Sequence, residues 1–390
     1  MKCFELTYYY GPDESLVERE EIWRDMHDAG ITLAQLRYSV RKNKTALLFC
    51  EKYGIRANVW DERIRDAIKA EDAQACDAII AECVRDYAPY RACVGFDIVD
   101  EPSCRDFAGL GRVVDACRRY APDYESVINL FPNYATPELL GCLTYEEHIR
   151  RYMDEVRPTM LSYDHYHFLK DEERGEVKAD LGREHESRIF ENAHSSRERD
   201  GFFENADIIR RAAREAGIDA MMIALLIEHG PYRRLTREEL SYEASVCLAY
   251  GFRRMSYFTY GLPKGDDDFW HWQHAMIDNE GTRDEHFYDV EAISQWLLPL
   301  GRHLFSLDCE RVVHTDREAL SHGRIRALSG AAVVGCYSDG SVLIANKSFD
   351  SEAHVTLDAD SLERYLPKED TFVPSDRVIV LSAGACALVR

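Results

Sequence analysis

Eight times in succession the chain pairs a short strand-like run with a segment of helical apolar spacing. "CFELTYYY" (3–10) reads as a strand, and "LVEREEIWRDMHDAG" (16–30) carries apolar residues at helical intervals before a glycine stop. "ITLAQLR" (31–37) leads into the helix "TALLFCEKYG" (45–54), and "IRANVWD" (55–61) into "DAQACDAIIAECVRDY" (72–87). The fourth unit is "ACVGFDIVDE" (92–101) with a helix around 105–120, and the fifth is "ESVINLFPN" (125–133) with "TYEEHIRRYMDEV" (144–156). Strands at 159–168, 218–229 and 253–261 follow, with helices at 203–217, 236–251 and 289–304. Eight such units in about 300 residues match the length and count of a (β/α)8 TIM barrel. A doubly wound sheet would carry a glycine-rich phosphate loop after its first strand, and neither G-x-G-x-x-G nor a P-loop is present.

The pattern changes after the eighth unit. "AAVVGCYSDGSVLIANKSF" (331–349) reads as two strands around a Ser-Asp-Gly turn, and "RVIVLSAGACALVR" (377–390) as two more. The expected organisation is a catalytic barrel over 1–307 and a small C-terminal antiparallel β-sandwich over 308–390. One connection, about 169–202, is long and heavily charged. It is expected to be either a solvated insert or a lid or subunit contact at the barrel mouth.

Of the 390 residues, 46% are hydrophobic, enough for a sizeable core, so global disorder is excluded. The 48 basic against 70 acidic residues give a net charge of −22, which repels phosphate backbones and anionic lipid, so neither nucleic acid nor membrane is an expected partner. The start lacks an apolar signal core, and no run reaches the length of a membrane span. Twelve cysteines are scattered without a CxxC pair, as expected of buried thiols in a reducing cytoplasm. No cofactor is expected, and zinc is disfavoured because no two cysteines stand at ligand spacing.

In a barrel the C-terminal ends of the strands ring the active site. Strand four ends in Asp100-Glu101-Pro102 and strand seven in Glu228-His229, so two glutamates are expected to face each other across the mouth. Glycoside hydrolysis requires such a carboxylate pair, one protonated to release the leaving oxygen and one ionised to attack or to activate water. The other strand ends supply candidate substrate contacts: Arg37, Trp60, Asn129 and Tyr260, with Tyr163, Asp164, His165 and Tyr166 all at the end of strand six. After strand eight, Phe269, Trp270 and Trp272 offer ring faces for a sugar platform. Asp266, Asp267 and Asp268 read as a solvated turn.

"GFDIVDEPS" followed by a helix resembles the strand-four motif of clan A glycoside hydrolases, whose acid/base is often written Asn-Glu-Pro. "SYDHYHF" is similar to strand six of such enzymes, and "LSYEASVCLAYGFRRMSYFTY" to helix seven and strand eight. The segment after strand eight and the C-terminal strands resemble β-galactosidase-like members. The resemblance implies Glu101 as acid/base and Glu228 as nucleophile. Arg37 would orient the nucleophile, and Tyr163 or Tyr166 would hydrogen-bond to it. Asp100 stands where the clan usually has Asn, which would raise the pKa of Glu101. Asp164 also ends a strand and is the alternative nucleophile.

The expectation is a cytoplasmic retaining glycosidase acting on a small β-linked galactoside or glucoside, with a homo-oligomer left open. One alternative is a divalent-metal hydrolase or isomerase using His165, His167 and His229 with the glutamates. Another is a non-catalytic carbohydrate-binding scaffold, which requires that one of the paired carboxylates fail to face the pocket.

Overall fold

The computed structural model describes residues 3–170, 198–265 and 270–390. Eight parallel strands form the barrel: β1 (Glu5–Tyr8), β2 (Leu33–Leu36), β3 (Arg56–Val59), β4 (Cys93–Asp100), β5 (Glu125–Leu130), β6 (Met160–Asp164), β7 (Asp219–Leu225) and β8 (Arg254–Phe258). From β2 to β8 each strand pairs with the next in sequence, and β1 pairs with β8 in the register Tyr8 to Tyr257. Between β1 and β2 the contact is narrower, carried by the Thr32 amide donating to the Leu6 carbonyl at 2.9 Å.

The surrounding helices are α1 (Glu20–Asp28), α2 (Val40–Tyr53), α3 (Arg63–Lys69), α4 (Ala73–Tyr87), α5 (Phe107–Tyr120), a one-turn α6 (Pro137–Leu140) and α7 (Tyr145–Glu155). They are followed by α8 (Phe202–Ala216), α9 (Arg237–Ala249) and α10 (Glu285–Leu304). Local chemistry sets several ends. Asp72 and Thr144 cap α4 and α7 with side-chain oxygens, and Thr236 with Glu239 forms a reciprocal capping box on α9. No described helix is long and apolar enough to cross a membrane.

At the N-terminal end of the barrel, the first residues of four strands form an ion network. Glu5 binds Arg56 (2.9 Å) and Arg254, and Arg254 also reaches Glu125 (2.9 Å). Glu5 and Arg254 are buried and compensate each other, which is the condition for burying them, while Arg56 and Glu125 are partly exposed.

The C-terminal region builds two antiparallel sheets. One has the order β10 (Ala327–Ser329), β13 (Ala353–Asp358), β16 (Val378–Leu381). The other runs β15 (Thr371–Pro374), β14 (Glu363–Leu366), β17 (Cys386–Val389), β12 (Val342–Asn346), β11 (Ala332–Tyr337), β9 (Cys309–His314). Their facing sides share a separate apolar core that includes Val334, Ile344, Val355, Leu357, Ile379 and Val389. The larger sheet packs on α9, which is buried around nearly its whole circumference, as a helix sandwiched between two layers must be. Gly335 permits the approach: a Cβ there would stand 2.3 Å from the Ala249 carbonyl. Of the charged connection over about 169–202, residues 171–197 lie outside the described residues, as do Phe269 and Asp266 to Asp268.

Candidate functional site

A cavity of about 840 Å³ opens at the C-terminal end of the barrel strands. Its polar wall is Asp100, Glu101, Asn129 and Asp164, and most of the remaining lining is aromatic.

The polar wall is built by β4, β5 and β6. Pairing between β4 and β5 runs Asp97 to Val127 and then Val99 to Ile128, so Ile98 is an extra residue. This bulge lets Asp97 hold Arg37 inside the barrel while Asp100, an odd number of residues later, still reaches the cavity. Glu101 follows with φ +44°, a left-handed conformation that costs a non-glycine residue about 1–2 kcal/mol. Its amide is fixed by the Asn129 carbonyl at 2.9 Å. Strain of this kind persists where the surroundings enforce it, and it concentrates at working sites.

Asn129 is the hub. Its Nδ2 donates to Asp164 Oδ1 (2.8 Å) and Asp100 Oδ1 (3.1 Å), and its Oδ1 accepts from Ser162 Oγ (3.0 Å). Burial pushes the Asp164 carboxyl up to about 7, with the Asp100 charge adding to it and the Asn129 hydrogen bond opposing it. Burial raises Glu101 well above the ordinary carboxylate range, and the charges of Asp164 and Asp100 add to the effect. The outcome is a carboxyl held protonated beside one that changes charge near neutrality.

The aromatic lining comes from several loops. Trp270 and Trp272 stack with ring centroids 5.5 Å apart, and Trp272 also stacks on His229 at 4.8 Å. Burial lowers His229 to about 3, so its imidazole is neutral. Tyr166, Tyr134 and Tyr232 continue the wall, with Tyr166 edge-on to Tyr232 at 5.4 Å. Thus Asp100, Glu101, Asn129, Asp164, Tyr166, His229, Trp270 and Trp272 are brought together as candidate contacts.

Six other candidates do not line the cavity. The central correction is Glu228. The strand seven expected to run to 229 ends at Leu225, after which the amides of Leu226 and Ile227 both donate to the Phe258 carbonyl. The doubled bond breaks the alternation. Glu228 then pairs by backbone with Gln273, its carboxylate binds Lys170 Nζ at 3.0 Å, and His229 takes the place on the cavity. Arg37 is likewise not the partner of a nucleophile: its guanidinium binds Asp97 at 2.6 Å and lies over the Tyr9 ring. Tyr163 is on the opposite face of β6 from Asp164, because strand side chains alternate, and His165 lies just past the strand end. Tyr163 packs on Phe252, and His165 binds Asn205 Oδ1 at 3.2 Å. Tyr260 is buried against Tyr8, and Trp60 sits under the Arg65 guanidinium.

The histidine set of the metal alternative does not form either. His167 is stacked on Phe202, His165 is tied to Asn205, and His229 faces the tryptophans. Among the described residues, the group whose ligand atoms do converge is Cys104, Cys142 and His148, outside the cavity.

Cavity residues missed in the sequence include Tyr9, Tyr10, Phe131, Tyr134, Tyr232, Phe258 and Lys264. The strand-end rule applied to strand one would have found Tyr9 and Tyr10. Tyr134 and Tyr232 sit on loops and carried no such signal.

No protein-family model matches the chain, and no curated protein matches its sequence. Solved structures do match in fold, and those cited here are glycoside hydrolases. A family 39 glycoside hydrolase from Bacteroides cellulosilyticus WH2 aligns with TM-score 0.57 and 9% identity, covering 100% of this chain and 81% of that one. A glucosidase from Croceicoccus marinus aligns with TM-score 0.51 and 11% identity, over 100% and 95%. A β-galactosidase from Marinomonas ef1 aligns with TM-score 0.52 and 11% identity, over 83% of this chain and 63% of its own length. The present chain therefore spans less than two thirds of that β-galactosidase. The fold is that of the clan A glycoside hydrolases, a (β/α)8 barrel carrying a C-terminal β-domain.

Proposed function

We propose that the protein is a glycoside hydrolase acting at the barrel mouth, with Glu101 as proton donor and Asp164 as the second carboxylate. The observation that carries this reading is the Asp100–Glu101–Asp164 wall bridged by Asn129 inside an aromatic-lined cavity. A glycosidase needs one carboxyl that keeps its proton at neutral pH and another that is ionised. Glu101, raised by burial and by two neighbouring acids, suits the first role. Asp164, held at about 7 with Asn129 donating to it, suits the second. The stacked Trp270 and Trp272 suit the C–H faces of a sugar. The fold neighbours described as a β-galactosidase and a glucosidase support a galactoside or glucoside as substrate, and a small β-linked one cleaved with retention is the course proposed for it.

The test is hydrolysis of aryl β-glycosides by wild type, Glu101→Gln and Asp164→Ala, with azide as a competing nucleophile. Glu101→Gln is expected to lose about 10²–10⁴ in kcat/KM on poor leaving groups, and less on activated ones. Asp164→Ala is expected to be inactive until azide is added. Full activity in Glu101→Gln would overturn the assignment.

A second reading, a barrel that binds sugar without cleaving it, is favoured by one observation: Glu228 is tied to Lys170 and not turned to the cavity. Saturable sugar binding with no turnover in the wild type would select it.

A further inference from the structure

We propose that Cys104, Cys142 and His148 form a binding site for a soft divalent metal ion, zinc by its chemistry. Their ligand atoms all lie within 4.8 Å of one another, and Cys104 Sγ is 3.3 Å from His148 Nδ1. A tetrahedral zinc with bonds of about 2.3 Å to sulfur and about 2.05 Å to nitrogen sets the sulfur–nitrogen separation near 3.5 Å and the sulfur–sulfur separation near 3.8 Å. The ligand atoms must therefore draw together from their present limit of 4.8 Å, with the imidazole Nδ1 leaving the Leu140 carbonyl and Cys142 Sγ leaving the Thr144 carbonyl.

Three elements converge to make the site. Cys104 opens a 3-10 turn (Cys104–Asp106) three residues after Glu101. Cys142 follows Gly141, whose left-handed φ of +73° ends α6. A Cβ at Gly141 would stand 2.3 Å from Ser103 Oγ, so only glycine lets this loop lie close enough to set Cys142 against Cys104. His148 projects from α7, wholly buried, with Phe107 at 5.0 Å. The nitrogen that faces Cys104 is Nδ1, which also lies 3.2 Å from the Leu140 carbonyl, so a metal bound there displaces that contact and leaves the ring proton on Nε2.

Ligand chemistry decides which ion is taken. Two thiolates and one imidazole are soft and borderline donors, which favour zinc over magnesium or calcium. The thiolates neutralise the dication, and the two thiol protons pass to solvent on binding. Cys142 is only half-buried, so water can reach the fourth position. A disulfide would join the sulfurs and leave the imidazole unused, whereas a metal uses all three groups. The bound ion would fasten the Glu101 loop to the end of α6, whose Leu139 lines the cavity.

The experiment is equilibrium dialysis of the full chain, reduced and stripped of metal, against zinc alone. Cobalt(II) serves as a parallel spectroscopic probe. The expected result is about one zinc per chain and a thiolate-to-cobalt charge-transfer band. Both are lost in Cys104→Ser and in Cys142→Ser, with affinity falling more than ~100-fold, beyond the cost of losing an outer contact. Zinc should also slow amide exchange over residues 101–106 and 140–145. Because Cys142 is half-buried, Cys142→Ser keeps the fold, and circular dichroism checks this. The proposal is overturned if the reduced wild type takes up no zinc, or if both serine variants bind as the wild type does. Two thiols lost to a disulfide, with no zinc uptake after reduction, would also overturn it.

Discussion

Replacing Asp164 by Asn should stabilise the protein at alkaline pH while abolishing its proposed chemistry. The Asp164 carboxyl is 4% exposed and pushed from an ordinary 3.8 up to about 7. A carboxyl whose pKa is higher in the folded state binds more protons there than in the unfolded chain. Its contribution is therefore favourable at low pH and is lost as pH rises from about 4 through about 7. At about 1.36 kcal/mol per pKa unit, the full cost of holding it ionised is on the order of 4 kcal/mol. By the same linkage, less than half of this is already felt at pH 5 and nearly all at pH 8. The neutral amide accepts from Asn129 as the acid does but has no charge to desolvate. Whatever the amide costs in packing is the same at both pH values and cancels in the comparison. Urea unfolding of wild type and Asp164→Asn at pH 5 and pH 8 should show the variant gaining on the order of 2–3 kcal/mol between the two. If the stability difference between the two proteins is equal at both pH values, the carboxylate wall does not carry the strain described here.

Glu228→Gln should leave turnover unchanged and cost less than ~1 kcal/mol, because it breaks a partly exposed pair with Lys170; a collapse of kcat would return the nucleophile to Glu228. Trp272→Ala removes stacking on both Trp270 and His229, and should raise KM about tenfold with little change in kcat, read from initial rates. Glu5→Ala leaves Arg254 and Arg56 to share Glu125 alone in the barrel base and should cost about 1–3 kcal/mol in urea unfolding, below the full cost of a stranded buried charge. A cost below ~1 kcal/mol would show that Glu125 alone is enough to compensate both guanidinium groups.

Periodicity alone determined the architecture. Eight switches between strand and helix spacing leave few arrangements that bury every apolar face, and the late run of short strands can only close on itself as sheets. The placement of Asp100 and Glu101 was also legible, because a strand ending in adjacent acids before proline is a local feature. The choice within strand six was legible in principle: Asp164 and Tyr163 stand on opposite faces by alternation, which excludes Tyr163. Tertiary structure decided the rest. The doubled hydrogen bond to the Phe258 carbonyl turns Glu228 toward Lys170, and the extra residue Ile98 in β4 lets Asp97 claim Arg37. Both are irregularities in pairing between strands, and they depend on a partner strand that local sequence does not specify. Cys104, Cys142 and His148 meet only because α6, α7 and the turn after β4 pack together. Patterns repeated along the chain reveal which face is buried, but which side chains converge depends on contacts between segments far apart in sequence.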